Sequence, residues 1–351
     1  MTRSTRRARG CWAILLALLV GALFACSGSP AAQQKAASST SGAASTNITI
    51  GIDVPFHPIW DYLEAKSSTY FAGKPYTVHF KVLDASTQVP AFGKGDLQVM
   101  TTVPSFMPIV KGQYNIDTTY LFPLARWTTG PQILVKKGSA IRTLQDLKGK
   151  KVAIPPLSSR FGAEQAAILA ATGQTIGSYF KLQQTEAAAQ QLTLGRVDAA
   201  FIEAPTTYPL LQTGKFEPIF SVHDAFLKAF HDPAVMNGGY IASTSFVKNN
   251  PQFVRDLIKA TQDVWDLYQR KPAVVNGVAS KVSGIPVAQL QVVGQVLDLA
   301  KIPASERQVT RPDIATWQKL YPLLQMAGFI KTAPADVPRM FALTSKLLAG
   351  K

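Results

Sequence analysis

The sequence predicts an α/β fold built from two similar lobes, and three observations carry that expectation. Short β-branched runs alternate with segments of helical spacing, the pattern of largely parallel sheets flanked by helices. The chain is 351 residues long, about twice an average domain of ~150, with 47% hydrophobic and 16% charged residues. That composition excludes a disordered or fibrous chain and leaves ample material for a core. Finally, one unit repeats. Gly95-Asp-Leu-Gln-Val-Met leads to Pro104, Pro108 and Gly112, and Gly195-Arg-Val-Asp-Ala-Ala leads to Pro205, Pro209 and Gly214. Each reads as a helix stop, a strand and a proline opening the next helix.

The elements follow in order. Asn47 to Ile52 is a short β-branched strand, broken by Asp53-Val54-Pro55-Phe56-His57-Pro58, and Ile59 to Lys66 has helical spacing. Tyr76 to Leu83, Leu97 to Thr101 and Ile133 to Lys136 read as strands. A second series begins at Lys151 to Ile154, echoing Ile48 to Ile52. It continues with a helix from Arg160 to Ala171 that stops at Gly173, and a strand from Phe180 to Gln184. A helix from Glu186 to Leu194 stops at Gly195, and strands follow at Val197 to Ile202, Glu217 to Val222 and Gly239 to Ser243. Beyond that the chain is mostly helical.

The first 26 residues follow the recipe for export: a basic start with Arg3, Arg6, Arg7 and Arg9, then an apolar run from Cys11 to Ala25. Fifteen apolar residues are too few to span a bilayer, which marks a signal peptide. Leu23-Phe24-Ala25-Cys26 resembles a bacterial lipobox, which implies lipidation (palmitate among the acyl groups) at Cys26. Residues 27–46 are rich in Ser, Ala and Gln, a composition suited to a flexible tether. Cys11 and Cys26 are the only cysteines, so the body has no disulfide, Cys metal site or thiol nucleophile.

The formal net charge of +15 invites a nucleic-acid reading, but its location opposes one. Residues 47–135 hold six basic and six acidic side chains, 136–237 eleven and eight, and 238–351 fourteen and seven. The excess is dispersed over helices of the last third, without groove-reading or stacking motifs, so no nucleic-acid partner is expected. A basic solvated face near a charged membrane or wall accounts for it.

Three segments in order carry a family resemblance: Leu144-Gln-Asp-Leu-Lys-Gly-Lys-Lys-Val-Ala153, Leu194-Gly-Arg-Val-Asp-Ala-Ala200 with Glu203-Ala-Pro205, and Tyr240-Ile-Ala-Ser243 with Asn250-Pro-Gln-Phe-Val254. The chain resembles substrate-binding lipoproteins of ABC importers, in the nitrate, sulfonate and taurine group with its thiamine-pyrimidine relatives. The resemblance implies a type II periplasmic-binding-protein fold. Lobe 1 would span residues 47–135 and lobe 2 residues 136–237, with residues 238–351 returning to lobe 1 and ending in helices. The chain would cross between lobes near residues 133–138 and 236–242. One departure lies at Ser68-Thr-Tyr-Phe-Ala-Gly73, where the family has a Gly-Phe-Phe stretch. The implied partners are a small solute, an ABC permease and a bacterial membrane that anchors a monomer outside the cytoplasm.

A ligand between the lobes would meet strand carboxyl ends and helix starts. After the strand ending at Ile154, Ser158, Ser159 and Arg160 combine hydroxyls, backbone N–H groups and a cation, a natural anion site. The matching positions of lobe 1 are His57 and Trp60 in the first loop and Thr101, Thr102 and Ser105 in the echo loop. Arg126 and Trp127 precede the crossing strand; Glu203, at a strand end, suits a ligand amine, and Asn237 lies beside the second crossing. Neither cofactor nor metal is expected, since His57, His79, His223 and His231 lack metal-ligand spacing. No G-x-S-x-G or P-loop occurs and no acid/base pair stands out, so no catalytic residue is assigned. The alternatives are an exported sensory or partner-presenting lipoprotein, and an exported enzyme using the same cleft.

Overall fold

A computed structural model describes residues 46–52, 57–83, 85–128, 130–156, 161–203 and 206–350. In chain order its strands are β1 (Thr46–Ile52), β2 (Tyr76–Val82), β3 (Val99–Thr102), β4 (Thr118–Pro123), β5 (Arg126–Trp127), β6 (Gln132–Lys136), β7 (Lys151–Ile154), β8 (Lys181–Gln184), β9 (Ala199–Ile202), β10 (Phe216–Ser221), β11 (Val235–Met236) and β12 (Gly239–Ser243). They form a first sheet ordered β2-β1-β3-β12-β4, a second ordered β10-β6-β9-β7-β8, and a β11-β5 ribbon.

The predicted duplication is visible in those orders. From one edge they read β2-β1-β3 and β8-β7-β9, each a parallel set, followed by an antiparallel strand, β12 or β6, that arrives from the other half of the chain. The sheets are therefore mixed, the exchanged strands being the antiparallel ones. Because β6 pairs with β9 and β10 from Gln132 onward, the first crossing lies before the expected 133–138, in the stretch containing the β5–β11 ribbon. Gly95 and Gly195 end helices at φ +85° and +71°, a conformation that glycine adopts without steric cost. Gly112, by contrast, lies inside the Met107–Tyr114 helix, which ends at Asn115 with φ 54°.

Burial explains why these segments fold as they do. Ile48, Ile50 and Ile52 of β1 are almost fully buried with Ile59 and Leu63 of the Pro58–Ala65 helix and Trp265. The Pro251–Arg270 helix turns Phe253, Val254, Leu257, Ile258, Val264, Trp265 and Tyr268 inward at helical spacing. A second cluster crosses the hinge, joining Phe106 and Tyr120 to Ile133, Phe161 and Phe201 through Trp317, Leu320, Tyr321 and Leu324. The Arg311–Met326 helix supplies those last four and so packs on both lobes. Thr310 opens it with a capping box: its hydroxyl accepts from the Asp313 N–H, and the Asp313 carboxylate accepts from the Thr310 N–H.

At the hinge, Arg126 uses all five of its N–H donors. They reach the carbonyls of Glu306 (2.6 Å), Ala234 (2.9 Å) and Gln308 (2.9 Å) and both carboxylate oxygens of Asp313 (2.6 and 3.2 Å). Breaking such a buried pair from one side costs about 3–5 kcal/mol. Arg126→Ala should lower unfolding free energy by that amount in urea titrations, and Arg126→Met with Asp313→Leu by clearly less. Equal losses for both variants would mean that the charge pair itself is not what the fold depends on.

Candidate functional site

The carboxyl ends of β1 and β3 meet the second crossing in a small knot. His57 precedes the Pro58–Ala65 helix, and its Nε2 lies 2.9 Å from the Leu124 carbonyl. The Leu124 and Ala125 N–H groups donate to the Gly238 carbonyl, and the Asn237 N–H donates to that of Ala125. Thr102 pairs in register with Gly239, while Ser105 lies in the Pro104–Phe106 turn that follows. The structure thus brings His57, Thr101, Thr102, Ser105 and Asn237 to one place. On the lobe 2 side, Gln132 pairs with Ile202 and Ser221, directly beside Glu203, whose carbonyl accepts from Thr206 and Thr207.

Several polar atoms here are buried without a hydrogen-bond partner in the protein: His57 Nδ1, Trp60 Nε1, Thr128 Oγ1, Gln132 Oε1 and Asn237 Oδ1. Leaving such an atom unpaired costs about 1–3 kcal/mol. Gln132 and Thr128 were not singled out from sequence. The available signal was a lone amide opening the apolar run Ile133-Leu-Val135, and a hydroxyl next to Trp127.

The His57 ring is 4% exposed, and burial pushes its pKa down to about 4 despite the Leu124 carbonyl, which favours the protonated form. With Nε2–H donating to Leu124, Nδ1 is an acceptor. Trp60 stacks beside it, ring centroids 4.7 Å apart, and its indole N–H is an unpaired donor. One residue further, Asp61 is 2% exposed, and burial, reinforced by the charge of Glu64, pushes its carboxyl up to about 8 against a hydrogen bond from Ser283.

Two sequence-predicted residues leave the site. Arg126 is saturated by its carbonyl and Asp313 partners, with no donor left for a ligand. Trp127 is 8% exposed and packs on Phe226 at 5.5 Å, a core role. Ser158, Ser159, Arg160 and Cys26 lie outside the described residues. With Arg126 spent, the described candidates are uncharged hydrogen-bonding groups and one carboxylate, Glu203, and Arg160 is the remaining candidate cation. Among the described residues, no three His, Cys, Asp or Glu side chains are grouped to hold a metal ion. No described helix is long and apolar enough to cross a membrane.

Residues 128–274 match the family model described as NMT1/THI5 like. No curated protein matches the sequence. Among solved structures, the chain is similar to the periplasmic aliphatic sulphonate binding protein SsuA from Escherichia coli: 17% identity, TM-score 0.67, covering 87% of this chain and 99% of that one. It is similar to the alkanesulfonate-binding protein SsuA from Xanthomonas axonopodis pv. citri bound to MOPS, at 18% identity and TM-score 0.61, covering 85% and 98%. The desulfurization enzyme DSZB has the same fold, at 15% identity and TM-score 0.59, covering 87% and 98%. The chain therefore shares the two-lobed fold of these solved structures, as the sequence predicted.

The two buried titratable groups should tilt stability in opposite directions. The His57 pKa is below its unfolded value near 6.5, so stability present above pH 6.5 falls by about 3 kcal/mol as pH drops to 4. The Asp61 pKa is raised, so its contribution is present below about pH 4 and is lost as pH rises through 8. Denaturant titrations against pH should show His57→Gln flattening the acid limb and Asp61→Asn the alkaline limb. Limbs unchanged from the parent protein would show that these two groups are not buried as described.

Proposed function

We propose that this chain is the extracytoplasmic solute-binding component of an ABC importer. It captures a small anionic or zwitterionic solute between its lobes, closes about the hinge, and delivers the solute to a permease. The reading rests above all on the strand-end cleft, where His57, Trp60, Thr128, Gln132 and Asn237 hold buried polar atoms without protein partners, in a fold shared with sulfonate-binding proteins. Thr101, Thr102 and Ser105 would add hydroxyl donors from lobe 1. Ser158, Ser159 and Arg160 would supply the anion contacts of lobe 2, and Glu203 would meet a ligand amine. Lipidation at Cys26 would tie the body to the outer face of a bacterial membrane through the tether.

The fold also occurs in DSZB, so fold alone does not separate capture from catalysis. The cysteine positions favour capture, because Cys11 and Cys26 both precede the body and leave it without a thiol nucleophile.

A thermal-shift screen against alkanesulfonates, nitrate, taurine and thiamine pyrimidines tests this directly. A ligand at 100 times its dissociation constant adds about 2.7 kcal/mol, a rise of several degrees in a body of this size. Arg160→Ala should weaken an anionic hit by about 1.5–3 kcal/mol, roughly ten- to a hundredfold in affinity. Unchanged affinity would take Arg160 out of the site; turnover of the hit would replace import with an enzyme. Cys26→Ala should release the chain from the membrane fraction with binding intact, and its persistence there would refute the anchor.

A further inference from the structure

The Arg311–Met326 helix lies along the hinge and touches something different at each turn. Asp313 holds Arg126, Thr316 donates to the Asp232 carboxylate (2.7 Å), the Trp317 indole donates to the Met236 carbonyl (3.0 Å), and the Tyr321 hydroxyl donates to the Pro104 carbonyl (2.9 Å). Its end is a Schellman turn. Gly328 takes φ +82°, its N–H donates to the Gln325 carbonyl, and the Phe329 N–H donates to that of Leu324. This turn folds Phe329 back toward the lobes.

The Phe329 ring meets both of them. It stands edge-on to Phe106 of lobe 1, centroids 5.7 Å apart at 86°. On the other side it covers Gly162 of lobe 2 so closely that a Cβ there would lie 2.7 and 2.8 Å from two ring carbons. Gly162 does not adopt a positive φ, so the position needs glycine for space rather than for backbone freedom. Phe106 directly follows Ser105, and Gly162 comes two residues after Arg160. The ring therefore touches both lobes, at the residue after Ser105 on one and at the start of the Gly162–Thr172 helix on the other.

We infer that Phe329 is an interlobe clasp, a positioning residue whose seat between Phe106 and Gly162 exists only when the cleft is closed and which sets the balance between open and closed forms. Any hinge motion that parts Phe106 from Gly162 must lift the ring off one of them. A contact made in one state alone biases that state by its own free energy, and a solute's apparent affinity scales with the fraction of closed protein. The inference rests on the two-lobed cleft of the proposed function, but its test needs no solute.

The test is a spin-label distance measurement between Lys228→Cys on lobe 2 and Lys281→Cys on lobe 1, both exposed positions, in the full chain carrying Cys11→Ser and Cys26→Ser. Without solute, Phe329→Ala should move the distance distribution to longer values. Gly162→Ala should do the same by displacing the ring, and the double variant should go no further than Phe329→Ala alone. Should Phe329→Ala lose its native circular dichroism, Phe329→Leu keeps apolar volume while losing the edge contact, and should shift in the same direction. Single variants with the parent distribution, or a double variant equal to the sum of the singles, would overturn the clasp. Either result stands whatever the solute screen yields, so the two failures are distinguishable.

Discussion

The Arg126 guanidinium is the constraint on which the rest of the molecule depends. It sits in the first crossing, takes a carbonyl from the approach to the second, and takes three further acceptor groups from the chain around the start of the Arg311–Met326 helix. Asp313, its partner, also caps that helix, so one carboxylate sets both the hinge position and the helix start. Everything further along the helix inherits that placement: Trp317 on the hinge strand, Tyr321 on lobe 1, Phe329 across the cleft. A buried ion pair contributes little net stability after desolvation, and its use here is geometric, holding three distant segments in one arrangement.

That clamp also explains the limits of what the sequence revealed. The strands β1, β2, β7 and β12 and the helix stops at Gly95 and Gly195 were legible because β-branching and glycine act locally. β4 was not, because all six residues Thr118–Pro123 are buried and give no alternation of polar and apolar positions. The two-residue strands β5 and β11 exist only by pairing with each other. Arg126 looked like a ligand-binding cation since nothing nearby in sequence could neutralise it; its carboxylate lies 187 residues away. For the same reason Trp127 could not be told from a cleft aromatic until Phe226 was placed against it.

The candidate site was legible in position more than in chemistry. Strand carboxyl ends and the crossing segments did mark where His57, Thr102, Ser105 and Asn237 converge, because chain topology dictates that location. The protonation states follow from burial, which a sequence does not display: a neutral His57 and a carboxyl at Asp61 held far above its ordinary range. Charge is likewise separated by place. The cationic surplus of the last third lies outside the strand-end cleft, and several of its acids are paired, as Asp256 with Lys74 and Asp266 with Arg307. The described candidates combine uncharged donors and acceptors with the Glu203 carboxylate, and Arg160 is the candidate cation.

A cleft of this kind gains affinity only if a solute contacts both lobes and draws them together. Small-angle scattering of the whole chain, titrated with the solute that gives the largest rise in melting temperature, measures that motion directly. A radius of gyration that falls in step with saturation is the predicted result. Full saturation with an unchanged scattering profile would contradict capture by closure.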